Sequence, residues 1–592
     1  MILQSLQGYY KRMEANPDSD IAPEGFEWKE MPFVIVLDEN GVFVDFRDRR
    51  QPKGKFLRAK PLLVPKGYPS RPGTQGWKKS NILWDHYGYV LAHPKSEKQD
   101  DVEMARRQHG SFKKLIDDLH KTIPHDSGIA AVSAYLSQED FSRVLNHPSW
   151  KECSLIKGCN ISFQLVEGLE LVCQSAMLIQ HIKLQLEHRA TIEIGESGHT
   201  AVCLVTGNVA EIARLHFPIS GINDKPAPFS AVNDGVSPAF SSYGKSQGFN
   251  FPISETAVFQ YSEALNNLLK KSPIRVAGQK IVCWSEKTSG SEMEELFGTC
   301  LNNDDPLDGV KKVQSLFASI NTGAKITEDD DQLFFVLGLA PNSARIVVRY
   351  WLKDTVRDVG AKLAMHFSDL EIIAPSNFQP YLPLWQLLQS IAVRGDSDNI
   401  PPNLTGDTMR AILSGTPYPV TLLQAAIRQI RAEQAKKNDK TGKSLPNVTY
   451  ARAGLIKACL NRASRFKNQK EDIAMSLDTT NPNPAYRLGR LFAVLEKIQE
   501  AANPGLNATI RDRFYGAASS SPVTVFPTLL KLKNHHLAKL SVGQKVYYEK
   551  LIGEIVWELD PVVAFPAQLP LNEQGRFAIG YYHQQRDLYT KK

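Results

Sequence analysis

Cysteine is scarce in this chain and poorly spaced for chemistry. The seven in 592 residues (Cys153, Cys159, Cys173, Cys203, Cys283, Cys300 and Cys459) form no Cys-x-x-Cys and have no histidine at zinc-finger spacing. That excludes a structural zinc site and gives no support to a disulfide framework; reduced, mostly buried thiols are expected. Long apolar runs are missing too, since none reaches the roughly 20 residues that cross a bilayer. The first residues lack a basic region followed by a long apolar core, so no signal peptide is visible, and a cytoplasmic location is expected. Neither an internal repeat nor a low-complexity segment stands out.

Catalytic signatures are equally absent. Thr441-Gly-Lys-Ser444 ends like a phosphate-binding loop, but Lys437 stands where the glycine five residues before Gly442 is required, and no buried strand precedes it. That excludes an ATP site of this type. His535-His536 invites a metal reading, yet helical geometry turns His536 toward the apolar stripe and His535 toward Lys531, with no acidic partner at ligand spacing. There is no His-Glu-x-x-His, no Gly-x-Ser-x-Gly and no carboxylate cluster resembling a two-metal nuclease. Catalytic residues, metals and cofactors are therefore expected to be none, and a binding protein is favoured.

What is present is the composition of a globular protein, 42% hydrophobic and 22% charged, with a net charge of +7 and a pI near 8.8. At roughly 150 residues per domain the chain has room for three or four units. A modest basic excess favours an acidic partner only where the cations cluster.

An amphipathic helix is predicted over residues 2–14, broken by Pro17. Phe33-Val-Ile-Val-Leu37, the turn Asp38-Glu-Asn-Gly41 and Val42-Phe-Val-Asp-Phe46 predict a β-hairpin. Arg47 to Lys60 is dense in Arg and Lys, with a plain reading as the solvated edge of a hairpin, where lysine guards against aggregation. A loop from Gly67 to Asn81 interleaves Arg71, Lys78 and Lys79 with Tyr68, Gln75, Trp77 and Asn81, a composition suited to phosphate contact and base readout. Trp84–Leu91 reads as a strand, 101–122 and 127–147 as helices, and Phe163–Val166 and Thr200–Thr206 as strands.

The most distinctive stretch is Phe240-Ser-Ser-Tyr-Gly-Lys-Ser-Gln-Gly-Phe-Asn250. It sets Ser242, Lys245, Gln247 and Asn250 among Gly244 and Gly248, just before a helix from Glu255 to Lys271 with Ser254 as its N-cap. Glycines there permit close backbone approach, and Lys, Gln and Asn are groups that read phosphates and base edges. On composition alone an ordinary polar loop is the simpler reading.

Further strands are expected at Ile281–Trp284, Leu333–Ala340 and Ala344–Trp351, and none after Ile373. The fold class is therefore α+β, a mixed α/β region over 1–373 followed by an all-α region, divided into a basic helical part, 374–474, and a helical bundle, 475–592. From Arg410 to Lys470 cations greatly outnumber the acids Glu433 and Asp439. Two helices, 420–436 and 449–467, flank a loop bearing Lys436, Lys437, Lys440 and Lys443, suited to a phosphate backbone. In the bundle, Leu488, Leu491, Phe492, Leu495 and Ile498 share one stripe, while Arg487, Arg490 and Lys497 share another; Arg487 and Arg490 join the expected DNA-binding set. Pro522–Leu540 is a further amphipathic helix with Phe526, Leu529, Leu532 and Leu540 inward.

Several blocks together resemble one family. Met1-Ile-Leu-Gln with Tyr9-Tyr10, Leu204-Val-Thr-Gly-Asn with Ile212-Ala-Arg-Leu-His216, and Phe240–Asn250 look like the Csd-type large subunit of the type I-C CRISPR Cascade. So do Leu337–Arg345, Tyr450–Ala458, Leu506–Ala518 and Gly580-Tyr-Tyr-His583. The resemblance runs nearly end to end. It implies a crRNA-guided complex in which guide pairing reads the target while this subunit inspects the protospacer-adjacent motif in double-stranded DNA. A glycine-containing loop, a lysine and a glutamine wedge would help open the duplex, and a C-terminal bundle would support the displaced strand of the R-loop. The implied partners are target DNA, crRNA, backbone and crRNA-processing subunits, small subunits translated from an internal start near Met475, and a helicase-nuclease recruited afterwards. One departure is that Asp224–Asn233 stands where the family resemblance has a Gly/Ser-rich run, so no glycine loop is carried over to it. The rival readings are a metal-dependent nuclease of the same defence system, which divalent-metal-dependent cleavage would reveal, and a purely structural bridging subunit.

Overall fold

A computed structural model of the chain describes all residues other than 55, 69–70, 72, 191–198, 233–243, 272–273, 288–290, 302–305, 323, 328, 376–377, 379, 439–441, 443, 472, 558, 560–563 and 591–592. Two compact units result: Met1–Gly221 with Lys225–Asn267, and Ile222–Asp224 with Leu268–Lys592. The expected α+β class holds, with strands confined to the earlier part and helices continuing to the end.

In the first unit the predicted hairpin forms the heart of a four-stranded sheet ordered Phe43–Asp48, Phe33–Leu37, Asn160–Leu165, Trp84–His86. Phe33–Leu37 is buried along its whole length, as a continuous apolar run in a central strand should be. It pairs antiparallel with its hairpin mate and parallel with Asn160–Leu165. The turn is closed by Asp38, whose Oδ1 accepts from the amides of Asn40 and Val42 at 2.9 and 2.7 Å. Helices Gln99–Thr122 and Ser127–Ser137 contribute Phe112, Ile116, Ile129, Val132 and Tyr135 to the core beside that sheet. The N-terminal helix, Ile2–Glu14, lies along Glu255–Lys271: Gln7 donates to Gln260 at 2.8 Å and Tyr9 to Asn267 at 2.9 Å. Ser254 Oγ accepts from the amide of Ala257 at 3.3 Å, so the predicted cap is present.

The second unit begins with an antiparallel meander, Ile274–Val276, Gln279–Ser285, Leu333–Asn342 and Arg345–Thr355. Trp284 stacks on Phe335 at 5.4 Å, and Phe335 on Trp351 at 5.8 Å. Among the described residues no strand follows Thr355. One apolar core runs from Val276 through Leu363, Leu422, Ile456 and Leu491 to Tyr582, so residues 374 and 475 mark changes of composition inside one unit. The tightest helix pair is Pro484–Ala502 against Leu571–Tyr589. Glycine makes it possible: a Cβ on Gly489 would stand 2.0 Å from the carbonyl oxygen of Phe577, and one on Gly580 would stand 2.0 Å from that of Tyr486.

Several local expectations are corrected. The strand at Trp84 ends at His86, because the His86 side chain accepts from the amide of Gly88 at 3.1 Å and starts a short helix, Tyr87–Val90. The helix expected over 127–147 ends at Ser137, just before Glu139 takes a φ of 53°, and a separate turn of helix spans Ser142–Leu145. Only Thr200–Val202 of the expected 200–206 strand forms. The helix from Pro522 ends at Leu537, and Leu532 lies 37% exposed, because the buried stripe is carried by Val525, Phe526 and Leu529.

Candidate nucleic-acid interface

The loop from Gly67 to Asn81 is built on a buried carboxylate. Asp85, 2% exposed, receives both terminal guanidinium nitrogens of Arg71 at 2.8 and 2.6 Å and the amide of Asn81 at 3.0 Å. The Arg71 guanidinium lies 4.3 Å from the centroid of Tyr89. Burial alone would favour a neutral Arg71, but the Asp85 carboxylate more than offsets it and raises the pKa. A bidentate pair of this kind fixes geometry as well as charge. Asn81 is buried, and its side-chain oxygen accepts from the amide of Tyr68 at 3.0 Å. The sequence expectation for these two residues is therefore corrected: Arg71 and Asn81 are used up inside the loop, because a buried carboxylate has to be paired. What the clamp presents is the rim. Gln75, Lys78 and Lys79 are exposed, with Lys78 over Trp77 at 5.4 Å and Lys79 over the half-exposed ring of Tyr68 at 5.6 Å.

The second loop is held more tightly than its composition suggests. Gln247–Asn250 forms one turn of 3-10 helix. The amide of Gly248 donates to the carbonyl of Arg214 at 3.0 Å, and a Cβ there would fall 2.3 Å from the carbonyl oxygen of Ala213, so this close approach requires glycine. The Asn250 side-chain amide donates to the carbonyls of Lys245 and Gln247 at 3.1 and 3.0 Å. Gln247 itself has a φ of 47°, in the left-handed region that costs a non-glycine residue about 1–2 kcal/mol. Its side-chain oxygen accepts from Arg214. Beyond this anchored turn Gly244 and Lys245 are exposed. The structure thus joins Lys245, Gln247 and Asn250 in one device; Ser242, with the rest of 240–243, lies outside the described residues.

The basic helical hairpin divides sharply. Helices Val420–Ala432 and Tyr450–Phe466 form, slightly shorter than predicted, and the connecting chain closes through an isolated bridge between Lys437 and Ser444. Lys436 and Lys437 are exposed, and Lys436 is paired with Glu433 at 2.7 Å. Lys440 and Lys443 lie outside the described residues. Arg452, Lys457 and Arg462, counted with the same cluster in the sequence, are buried. Arg452 donates to Glu433 at 2.5 Å and to two carbonyls. Lys457 donates to the carbonyl of Asp369 at 3.0 Å, and Arg462 pairs with the Asp369 carboxylate at 2.9 Å. Burial lowers the pKa of Lys457.

Arg487 and Arg490 require a further correction. They are 1% and 2% exposed, Arg490 on the face of Pro484–Ala502 that meets the C-terminal helix. Arg490 donates to Gln584 at 3.0 Å and to the carbonyl of Thr479 at 3.2 Å. Neither offers a DNA-facing group in this chain, because both side chains are buried.

Sequence reasoning missed Asp85 and Arg214, the two residues that organise the loops. Asp85 was detectable as the lone carboxylate within the apolar run Ile82-Leu-Trp-Asp-His-Tyr-Gly-Tyr-Val, a position that demands a cation. Arg214 carried no such signal, since its partner is 33 residues away. His536 has its pKa lowered by burial and stands 3.4 Å from the Asn503 amide. Among the described residues no group of three or more His, Cys, Asp or Glu is placed to hold a metal ion, and no helix is long and apolar enough to cross a membrane.

A family model described as CRISPR-associated protein (Cas_Csd1) matches residues 6–589. No curated protein matches the chain.

Proposed function

The chain belongs to the Csd1 family of CRISPR-associated proteins, the type I-C Cascade large subunits, and from that premise we propose that its first unit inspects the protospacer-adjacent motif in double-stranded DNA. The observation that carries this reading is Gln247. A glutamine held at positive φ, with its neighbour locked by the Gly248 approach and its side chain held by Arg214, is a strained residue kept in place by its surroundings. Strain of this kind concentrates at ligand clamps. Lys245 beside it supplies a phosphate contact, and Gln247 or Asn250 reads or wedges a base pair. Gln75, Lys78 and Lys79 act as a second, phosphate-holding rim. Neither Arg71 nor Asn81 is proposed to touch DNA; they shape the rim that does.

In this reading guide pairing reads the target sequence, and the chain itself performs no chemistry and binds no cofactor. It works in the cytoplasm with crRNA, the backbone and crRNA-processing subunits, and a helicase-nuclease recruited after the R-loop forms. Lys436, Lys437, Lys440 and Lys443 hold phosphates of the opened DNA without regard to sequence. A small subunit begun at Met475 keeps every helix from Pro484 to Tyr589. It loses the segment that contributes Leu423, Ile456 and Leu460 around Gly575, so it presents an apolar face to a neighbour. Mass spectrometry of copurified small subunits gives an N-terminus at Met475 if that start is used; any other N-terminus ends the idea.

The test is binding of the assembled complex, with and without this subunit, to duplexes that differ only beside the target. The proposal requires discrimination between them to vanish without the subunit. Discrimination that persists without it assigns the chain a bridging role instead.

A further inference from the structure

The segment Arg47–Lys60 has no part in the loops described above, yet it is the most one-sided stretch of charge in the first unit. Arg47, Arg49, Arg50, Lys53, Lys55, Arg58 and Lys60 stand against the single acid Asp48. Within it, Arg50–Lys53 and Phe56–Ala59 form an antiparallel two-stranded ribbon separate from the four-stranded sheet. Its root is locked. The Arg50 side chain, 9% exposed, pairs with Asp48 at 2.6 Å and Glu152 at 3.3 Å, and its guanidinium lies 4.9 Å from the centroid of Phe33. Burial works against the Asp48 charge, but the hydrogen bonds from Arg50 hold its pKa below the ordinary value. Ala59, opposite Arg50 in the register, is buried as well.

The far part of the ribbon is open on both faces. Gln51 faces Arg58 across the strands, so the two share one face, and Phe56, two residues from Arg58, lies on that face too. Phe56 is 71% exposed and Leu57, on the opposite face, 51%. Lys60 is exposed. Arg58 makes only a loose pair with Glu30, 3.7 Å apart with both side chains largely in water, which contributes little and is readily exchanged for another anion. A two-stranded hairpin is marginal on its own in water. A projecting one that exposes a phenylalanine among cations is arranged for a partner that is anionic and offers a flat apolar surface.

We infer that the ribbon Arg50–Ala59, with Lys60 directly after it, is a nucleic-acid-binding arm, in which Arg58 and Lys60 contact phosphates while Phe56 packs against the base edges of duplex DNA. The form fits, since a two-stranded ribbon enters the major groove, where an apolar side chain such as phenylalanine contacts the thymine methyl. The locked root lets the arm bear load without unpairing. This deepens the reading of the chain as a DNA-inspecting subunit and rests on it.

The test uses the full chain in its assembled complex and a short random-sequence DNA duplex, with affinity measured by fluorescence anisotropy across a salt series. Phe56→Ala is expected to weaken binding by roughly 10- to 100-fold, the effect of losing one buried apolar side chain from the contact, and Phe56→Trp to restore it. Arg58→Ala with Lys60→Ala is expected to lower the slope of log affinity against log salt by about 2, near 0.9 per phosphate contact. Both variants lie at exposed positions and should assemble and melt like the parent. Unchanged affinity and slope overturn the arm. So does loss of the variants from the assembled complex with DNA affinity intact, which assigns the ribbon to a protein partner, or a loss confined to phosphatidylserine vesicles, which assigns it to a lipid surface. Failure of the motif-reading proposal is separable: there the parent complex binds all duplexes alike, while the arm variants still lower the salt slope.

Discussion

Cations selected from the sequence by the same argument meet opposite fates on the anchored loops of the first unit and in the packed helices of the second. In the first, Lys78, Lys79 and Lys245 stand in solvent on loops whose backbones are pinned from beneath by Asp85 and Arg214. In the second, Arg452, Lys457, Arg462 and Arg490 turn inward and are spent on Glu433, Asp369, Gln584 and main-chain carbonyls. Charge density along a chain therefore identifies a ligand surface only where nothing in the fold competes for the charge. On the anchored loops the competing groups go to Arg71 and Asn81, leaving the rim free for a partner. On the helices a carboxylate from far along the chain, Asp369, takes the cations first.

The largest expected effect breaks the inward set. Arg462→Ala leaves Asp369, 3% exposed, with only the partly exposed Arg465 as its cation, and removal of the buried member of such a cluster costs up to about 3–5 kcal/mol. Thermal unfolding should show that loss, while Lys78→Ala with Lys79→Ala should leave the melting temperature unchanged. A melting temperature insensitive to Arg462→Ala would mean that the inward cations are not structural.

Next in size is a pH effect carried in the second unit by one buried histidine. His583, 1% exposed, hydrogen-bonds to Tyr486 at 2.9 Å, and burial pushes its pKa down to about 4. The unfolded histidine takes up its proton near 6.5. Between those values the unfolded state binds more protons, so stability present at neutral pH is lost as the pH falls, by about 2 kcal/mol between roughly pH 7 and 5. His583→Gln should flatten that part of the stability profile; an undiminished slope would place the titration elsewhere.

A smaller effect sharpens the outward set. Gln247→Gly removes the left-handed penalty of about 1 kcal/mol, less what the freer unfolded chain gains. The melting temperature should hold or rise slightly while motif discrimination falls. If the melting temperature instead drops by several degrees, Gln247 is a packing residue. Smallest of all, Lys436→Ala with Lys437→Ala should change stability by less than about 0.5 kcal/mol and lower the salt slope of DNA binding by up to about 2; an unchanged slope counts against phosphate contact there.

Much of the architecture was legible because its signals are local. Alternation and the Asp38–Gly41 turn announced the central hairpin, Ser254 announced the helix at Glu255, and the alternating run from Ala344 announced the last strand. The failures came where a side chain competed with propensity. His86 capped a helix inside an apolar run that reads as strand, and packing against the C-terminal helix took up Arg490 of Pro484–Ala502. The candidate site was legible in residue type but not in role. Lys245, Gln247 and Asn250 could be named from composition, whereas the φ of Gln247 and its hold by Arg214 arise from contacts distant in sequence.

The central claim is that an anchored Gln247 reads the base pairs beside the target. The most direct measurement compares Gln247→Ala with the parent subunit in the assembled complex, on two duplexes that share a target and differ only in the adjacent motif. The account predicts a loss of roughly 1–3 kcal/mol in the difference between the two affinities, with binding to the incorrect motif little changed. An equal weakening on both duplexes would contradict it and leave the loop a scaffold.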